Sequence, residues 1–71
     1  RAIKGTEVSV LVKEYEKSVI KISMRSKQYF DVARLCAKLG GGGHVRAAGA
    51  TLNCSLEKAI ETVINAFDRE V

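Results

Sequence analysis

The stretch Asp31–Leu52, "DVARLCAKLGGGGHVRAAGATL", passes from a helical pattern through four consecutive glycines to an alternating one. Asp31 is of a type that caps helices, its short side chain accepting from an early N–H. Val32, Leu35, Cys36 and Leu39 then recur at the spacing of one helix face. Gly40 falls where a helix commonly ends in the left-handed conformation. After the glycines, Ala48, Ala50 and Leu52 alternate as in a short strand, and Gly49 among them signals close backbone approach or a bulge. A helix that stops and returns as a strand implies a sheet covered by helices.

The flanks agree. Val8–Tyr15, "VSVLVKEY", alternates around Val8, Val10 and Val12, with Leu11 blurring the polar side. Ser18–Ser26, "SVIKISMRS", alternates more cleanly: Ile20, Ile22 and Met24 face one way, Val19, Lys21, Ser23 and Arg25 the other. The short link Glu16–Lys17 makes these strands an antiparallel hairpin, though without the Asn-Gly chemistry that favours tight turns. At the C-terminus Ser55 is of a capping type, and Leu56, Ala59, Ile60, Val63, Ile64 and Phe67 form a broad apolar helix stripe. The expected fold is α/β in the α+β sense: a small mixed sheet of three to four strands with two helices, in the order ββαβα.

Seventy-one residues make one domain, and 46% hydrophobic residues with neither Trp nor Pro read as globular. The chain opens at Arg1 rather than Met, from which we expect a piece of a longer protein. A net charge of +4 suits anionic partners such as nucleotides or RNA, as it also suits a plain lysine-rich surface. Cys36 and Cys54 are too few, and wrongly spaced, for a disulfide scaffold or a zinc site. Free thiols fit a reducing, cytoplasmic setting. There is no run of 18 apolar residues of the kind that spans a membrane.

Four glycines in a row together cost about 2–4 kcal/mol of chain entropy, a large share of a small domain's stability. Glycines let successive N–H groups turn toward one concavity and let a phosphate approach the main chain. His44 follows at once and can donate to a phosphate oxygen or stack on a base; Arg46 adds a forked donor nearby. The competing reading is a flexible loop with an exposed histidine. Neither a Walker phosphate loop nor a dinucleotide fingerprint fits the run. Arg25 is the second clue, projecting with Ser23 and Lys21 from a strand end where Ser26 and Lys27 adjoin, so that "SMRSK" could hold an anion. Metal-centred hydrolysis needs several converging carboxylates or histidines, and one His with scattered acids does not supply them. A Cys36–His44 nucleophilic pair is disfavoured by the place of Cys36 on the apolar face. These residues are suited to binding, with no catalytic set of their own.

"SMRS" at Ser23–Ser26, a short helix, and "GGGGHVRAAG" at Gly40–Gly49 resemble the C-terminal DHH-associated domain of DHH-family phosphoesterases, most of all the bacterial branch of bifunctional oligoribonuclease and 3′-phosphoadenosine 5′-phosphate phosphatase enzymes. The resemblance covers nearly the whole chain. It implies a separate N-terminal DHH domain that holds two manganese ions, with this domain closing over the cleft and gripping substrate. Carried over position by position, it implies substrate contacts at Ser23, Arg25, Ser26, Gly41, Gly42, Gly43 and His44. Arg46 stands where many relatives have Asn, so a base contact through that amide is not carried over, while donation to phosphate is.

Within the family, the parent could instead be a RecJ-type single-strand exonuclease or a cyclic-dinucleotide phosphodiesterase. Outside it, Gly40–Gly43 formally satisfies the G-x-x-G loop of a KH-like single-stranded RNA-binding module, which requires a helix after His44. A purely structural or dimerisation domain is a third reading.

Overall fold

The computed structural model describes residues 2–4 and 7–70. Its elements run β1 (Ala2–Lys4), β2 (Val8–Glu16), β3 (Val19–Ser26), α1 (Val32–Lys38), β4 (Gly42–His44), β5 (Ala47–Leu52) and α2 (Leu56–Glu70). The strands form one sheet in the order β1-β2-β3-β5-β4, and each pairing is antiparallel. The α+β class expected from the sequence is the class observed. The sheet is wholly antiparallel rather than mixed, and has five strands, because two three-residue strands extend its edges. In one of these, β4, two of the three residues are glycine, a residue type depleted in strands, so nothing in its composition announces it.

Both helices lie on one side of the sheet. The alternation of β3 buries Ile20, Ile22 and Met24, and that of β2 buries Val10 and Val12. They meet Val32, Leu35 and Cys36 of α1 and Ala59 and Val63 of α2 in one core. Phe30 and Phe67 close its end with ring centroids 5.5 Å apart. Burial pushes the Cys36 thiol above its ordinary 9.0, in keeping with a packing role. The stripe on α2 is wider than the sheet can cover: Ile64, one 100° step round from Val63, stays 46% exposed.

Both caps read from the sequence are present. The Asp31 carboxylate accepts from the Arg34 N–H at 3.0 Å, and the Ser55 hydroxyl from the Lys58 N–H at 3.2 Å. The β2–β3 turn lies one residue later than expected, at Lys17–Ser18, with Ser18 in the left-handed region at φ 61°. Pairing jumps between Glu14 and Glu16, so Tyr15 is a bulge residue.

Candidate nucleotide-binding face

Because the helices cover one side of the sheet, the other side is open, and the register assigns its residues in rows. Arg25 pairs with Ala47, and Ala47 with His44. Ser23 pairs with Gly49, and Gly49 with Gly42. Residues directly opposite share a face, so Arg25, His44 and Ser23 come out together, all exposed. The Ser9–Arg25–Ala47–His44 and Leu11–Ser23–Gly49–Gly42 rows carry no carboxylate. Between them lies a shallow depression lined by Ser23, Arg25, Gly42, Gly43 and Ala47 to Gly49.

The four glycines do different things. Gly40 has φ 86°, and its N–H donates to the Ala37 carbonyl at 3.1 Å, while the Gly41 N–H donates to the Cys36 carbonyl at 2.8 Å. That pair of bonds is the Schellman end of α1. The first two N–H groups of the run therefore face the helix, and do not join a single concavity as the sequence led us to expect. Gly41 also needs its bare Cα, since a Cβ there would overlap the Gly49 carbonyl oxygen and lie 2.7 Å from the Ala50 Cα. Gly43 has φ 146°, and a Cβ would fall 2.7 Å from the Ala48 Cα. Gly42 differs: a Cβ on it would meet nothing within 4 Å. The fold accounts for three of the glycines and leaves Gly42 unexplained, beside the depression. β4 is the last strand of the sheet, and an edge strand presents unpaired backbone N–H groups.

The turn Val45–Arg46 is tied down at the point where β3 ends and α1 begins. The Ser26 N–H donates to the Arg46 carbonyl at 3.0 Å, and the Val32 N–H to the Val45 carbonyl at 2.9 Å. The Ser26 hydroxyl reaches the same Val45 carbonyl at 3.5 Å. These bonds hold His44 in register with Arg25. Of the residues singled out in the sequence, Ser23, Arg25, Gly42 and His44 thus share the open face. Gly43 lines its depression. Ser26 lies on the opposite side of the β3 alternation and fastens the turn, Gly41 closes the helix, and Arg46 sits exposed in the turn next to the row. The segment after His44 is a hairpin into β5, so the helix required by a KH-like loop does not form.

One anchor has no sequence signature. The Glu7 Oε2 accepts the backbone N–H groups of Gln28, Tyr29 and Phe30 at 2.9, 2.9 and 3.1 Å. Its backbone carbonyl takes the Lys27 N–H at 2.9 Å. These donors, Phe30 foremost and Gln28 next, hold the Glu7 carboxyl below its ordinary 4.5. The clamp orders the connection from the Arg25 end of β3 to α1.

Among the described residues, no group of three or more His, Cys, Asp or Glu side chains is placed to hold a metal ion. No step of chemistry through a metal is therefore assigned to these side chains. What the face offers is a guanidinium, an imidazole and a hydroxyl around a patch cleared of side chains.

The DHHA1 domain family matches residues 1–71. The "Bifunctional oligoribonuclease and PAP phosphatase NrnA" of Thermus thermophilus is 43% identical over 72 residues. The match covers 100% of this chain and 22% of that relative.

Proposed function

The chain belongs to the DHHA1 domain family, and on that footing we propose that it is the substrate-holding domain of a longer, manganese-dependent phosphoesterase acting on short RNA and on a nucleoside bisphosphate. The observation that carries this reading is the row in which Arg25 and His44 flank Ala47, next to the open Gly42. Two donor side chains on either side of a small residue suit one phosphate group. The absence of a carboxylate from the rows leaves an anion unopposed.

In this reading the metals are held outside the described residues, and the chain contributes position and charge. Arg25 and His44 fix the phosphate, Ser23 adds a hydroxyl donor, and Gly42 lets the ligand lie against the main chain. A phosphoester so held is presented in one orientation, and its negative charge is balanced where more develops in the transition state. The relative's name, an oligoribonuclease and PAP phosphatase, supports both substrate classes.

The test is an NMR titration of the chain with a dinucleotide and with 3′-phosphoadenosine 5′-phosphate, followed by a manganese-dependent hydrolysis assay of the longer protein. Shifts centred on Ser23, Arg25 and Gly42–His44 are expected for both ligands. Shifts confined to the helix side of the sheet, or hydrolysis of neither ligand, would overturn the reading.

A further inference from the structure

The open face continues past the Arg25–His44 row to a group of residues that the fold itself does not call for. Lys13 lies directly opposite Lys21, and Lys21 opposite Thr51. All three are exposed. Like charges so placed repel and destabilise a sheet. Of the carboxylates at that end of the hairpin, Glu14 is set opposite Ile20, on the helix side, while Glu16 is opposite Val19 on the open face, diagonal to Lys21 and directly against neither lysine. Beside them, at the bulge, Tyr15 is 59% exposed, with the Lys21 Nζ 4.2 Å from its ring centroid. Two ammonium groups next to an exposed aromatic ring are what single-stranded nucleic acid binds, through its backbone and its bases.

We propose that Lys13, Lys21 and Tyr15 form a second contact for single-stranded RNA. The phosphate backbone would lie on the two lysines and a base on the face of the Tyr15 ring turned away from Lys21, the strand running along β3 from Arg25 to Lys21. Those residues are four positions apart, about 13 Å along an extended strand. That span suits several nucleotides better than a nucleoside bisphosphate gripped by the Arg25–His44 row. The second contact therefore separates the two substrate classes: oligonucleotides use it and the bisphosphate does not. The inference rests on the substrate-holding reading above.

The experiment compares the Lys13→Ala/Lys21→Ala double variant and Tyr15→Ala with the unaltered protein, as this chain and within the longer protein. The ligands are a 5′-phosphorylated triadenylate and 3′-phosphoadenosine 5′-phosphate, titrated at several salt concentrations. The double variant should melt close to the unaltered chain, because removing the like-charged pair offsets the loss of the Lys21–Tyr15 contact. Triadenylate affinity should fall about tenfold in the double variant and about fivefold or more in Tyr15→Ala. Its salt dependence should flatten by about 1.4 in logarithmic slope, for two lost phosphate contacts on a single strand. Affinity for the bisphosphate should stay within about twofold. Equal losses for both ligands, or no loss for triadenylate, would overturn the proposal while leaving the substrate-holding reading intact. So would shifts at Lys13 and Lys21 with polyglutamate in place of RNA, marking the face as a protein contact. Failure of the unaltered protein to bind either ligand would overturn both.

Discussion

Arg25 and His44 stand on either side of Ala47 in a single cross-strand row, each directly opposite it. Two strand spacings, about 10 Å of backbone, separate them, which their side chains can bridge toward a common anion. Charge-assisted hydrogen bonds of this kind contribute roughly 1.5–3 kcal/mol each. Arg25→Ala and His44→Ala should therefore each weaken 3′-phosphoadenosine 5′-phosphate binding by about tenfold to a hundredfold, with unchanged melting. If both hold one phosphate, the double variant should depart from additivity by about 0.5 kcal/mol or more. Isothermal titration of the four proteins measures this, and strict additivity would place the two residues on separate groups.

The four glycines give a second contrast. Gly42→Ala meets no atom, so it should leave stability unchanged or raise it by about 0.4–1 kcal/mol through the unfolded chain. Gly41→Ala and Gly43→Ala collide with the backbone of β5 and should each cost about 3 kcal/mol or more. Thermal melts rank the three. Ligand titration of Gly42→Ala then isolates the functional part, since the new methyl group stands in the depression; a folded variant with weakened binding is the expected result. Full binding by Gly42→Ala would show that no ligand approaches that Cα.

Much of this was legible in the chain because local chemistry and tertiary packing agree there. Ile20, Ile22 and Met24 alternate because one face of β3 is covered, and Asp31, Gly40 and Ser55 mark helix ends through bonds within a few residues. Arg25 and His44 stood out as donors, but the pairing that brings them into one row is made through β5. β4 leaves no alternation to read, because two of its three residues are glycine. The Glu7 clamp leaves no local pattern either, since its bonds reach across 21 to 23 residues of sequence. A lone glutamate shows nothing of what it will meet at that distance.

The clamp makes a pH-dependent contribution whose direction is fixed. Three N–H donors favour the ionised form, so the folded-state pKa of Glu7 lies below the unfolded value near 4.5. The stability it contributes is present above about pH 4.5 and is lost as pH falls through the lowered value. Glu7→Gln should unfold at lower denaturant concentration than the unaltered chain at pH 7, and the two curves should converge on acidification. A gap that persists to the lowest pH at which both fold would mean that the charge on Glu7 is not what orders the loop.

Lys13→Glu sets stability against binding. The substitution turns a like-charged cross-strand pair with Lys21 into an opposite-charged one, a change of roughly 0.5–1 kcal/mol toward the folded state. Its effect should shrink in high salt, because both groups are exposed. The same change puts a carboxylate on the face proposed to carry the RNA backbone, so oligonucleotide affinity should fall further than with Lys13→Ala. A more stable protein that binds RNA less well is thus expected from one substitution, checked by denaturant titration at two salt concentrations alongside triadenylate binding. Were stability to rise with RNA affinity unchanged, Lys13 would be merely a solvated charge; were stability to fall, the register placing it opposite Lys21 would itself be in error.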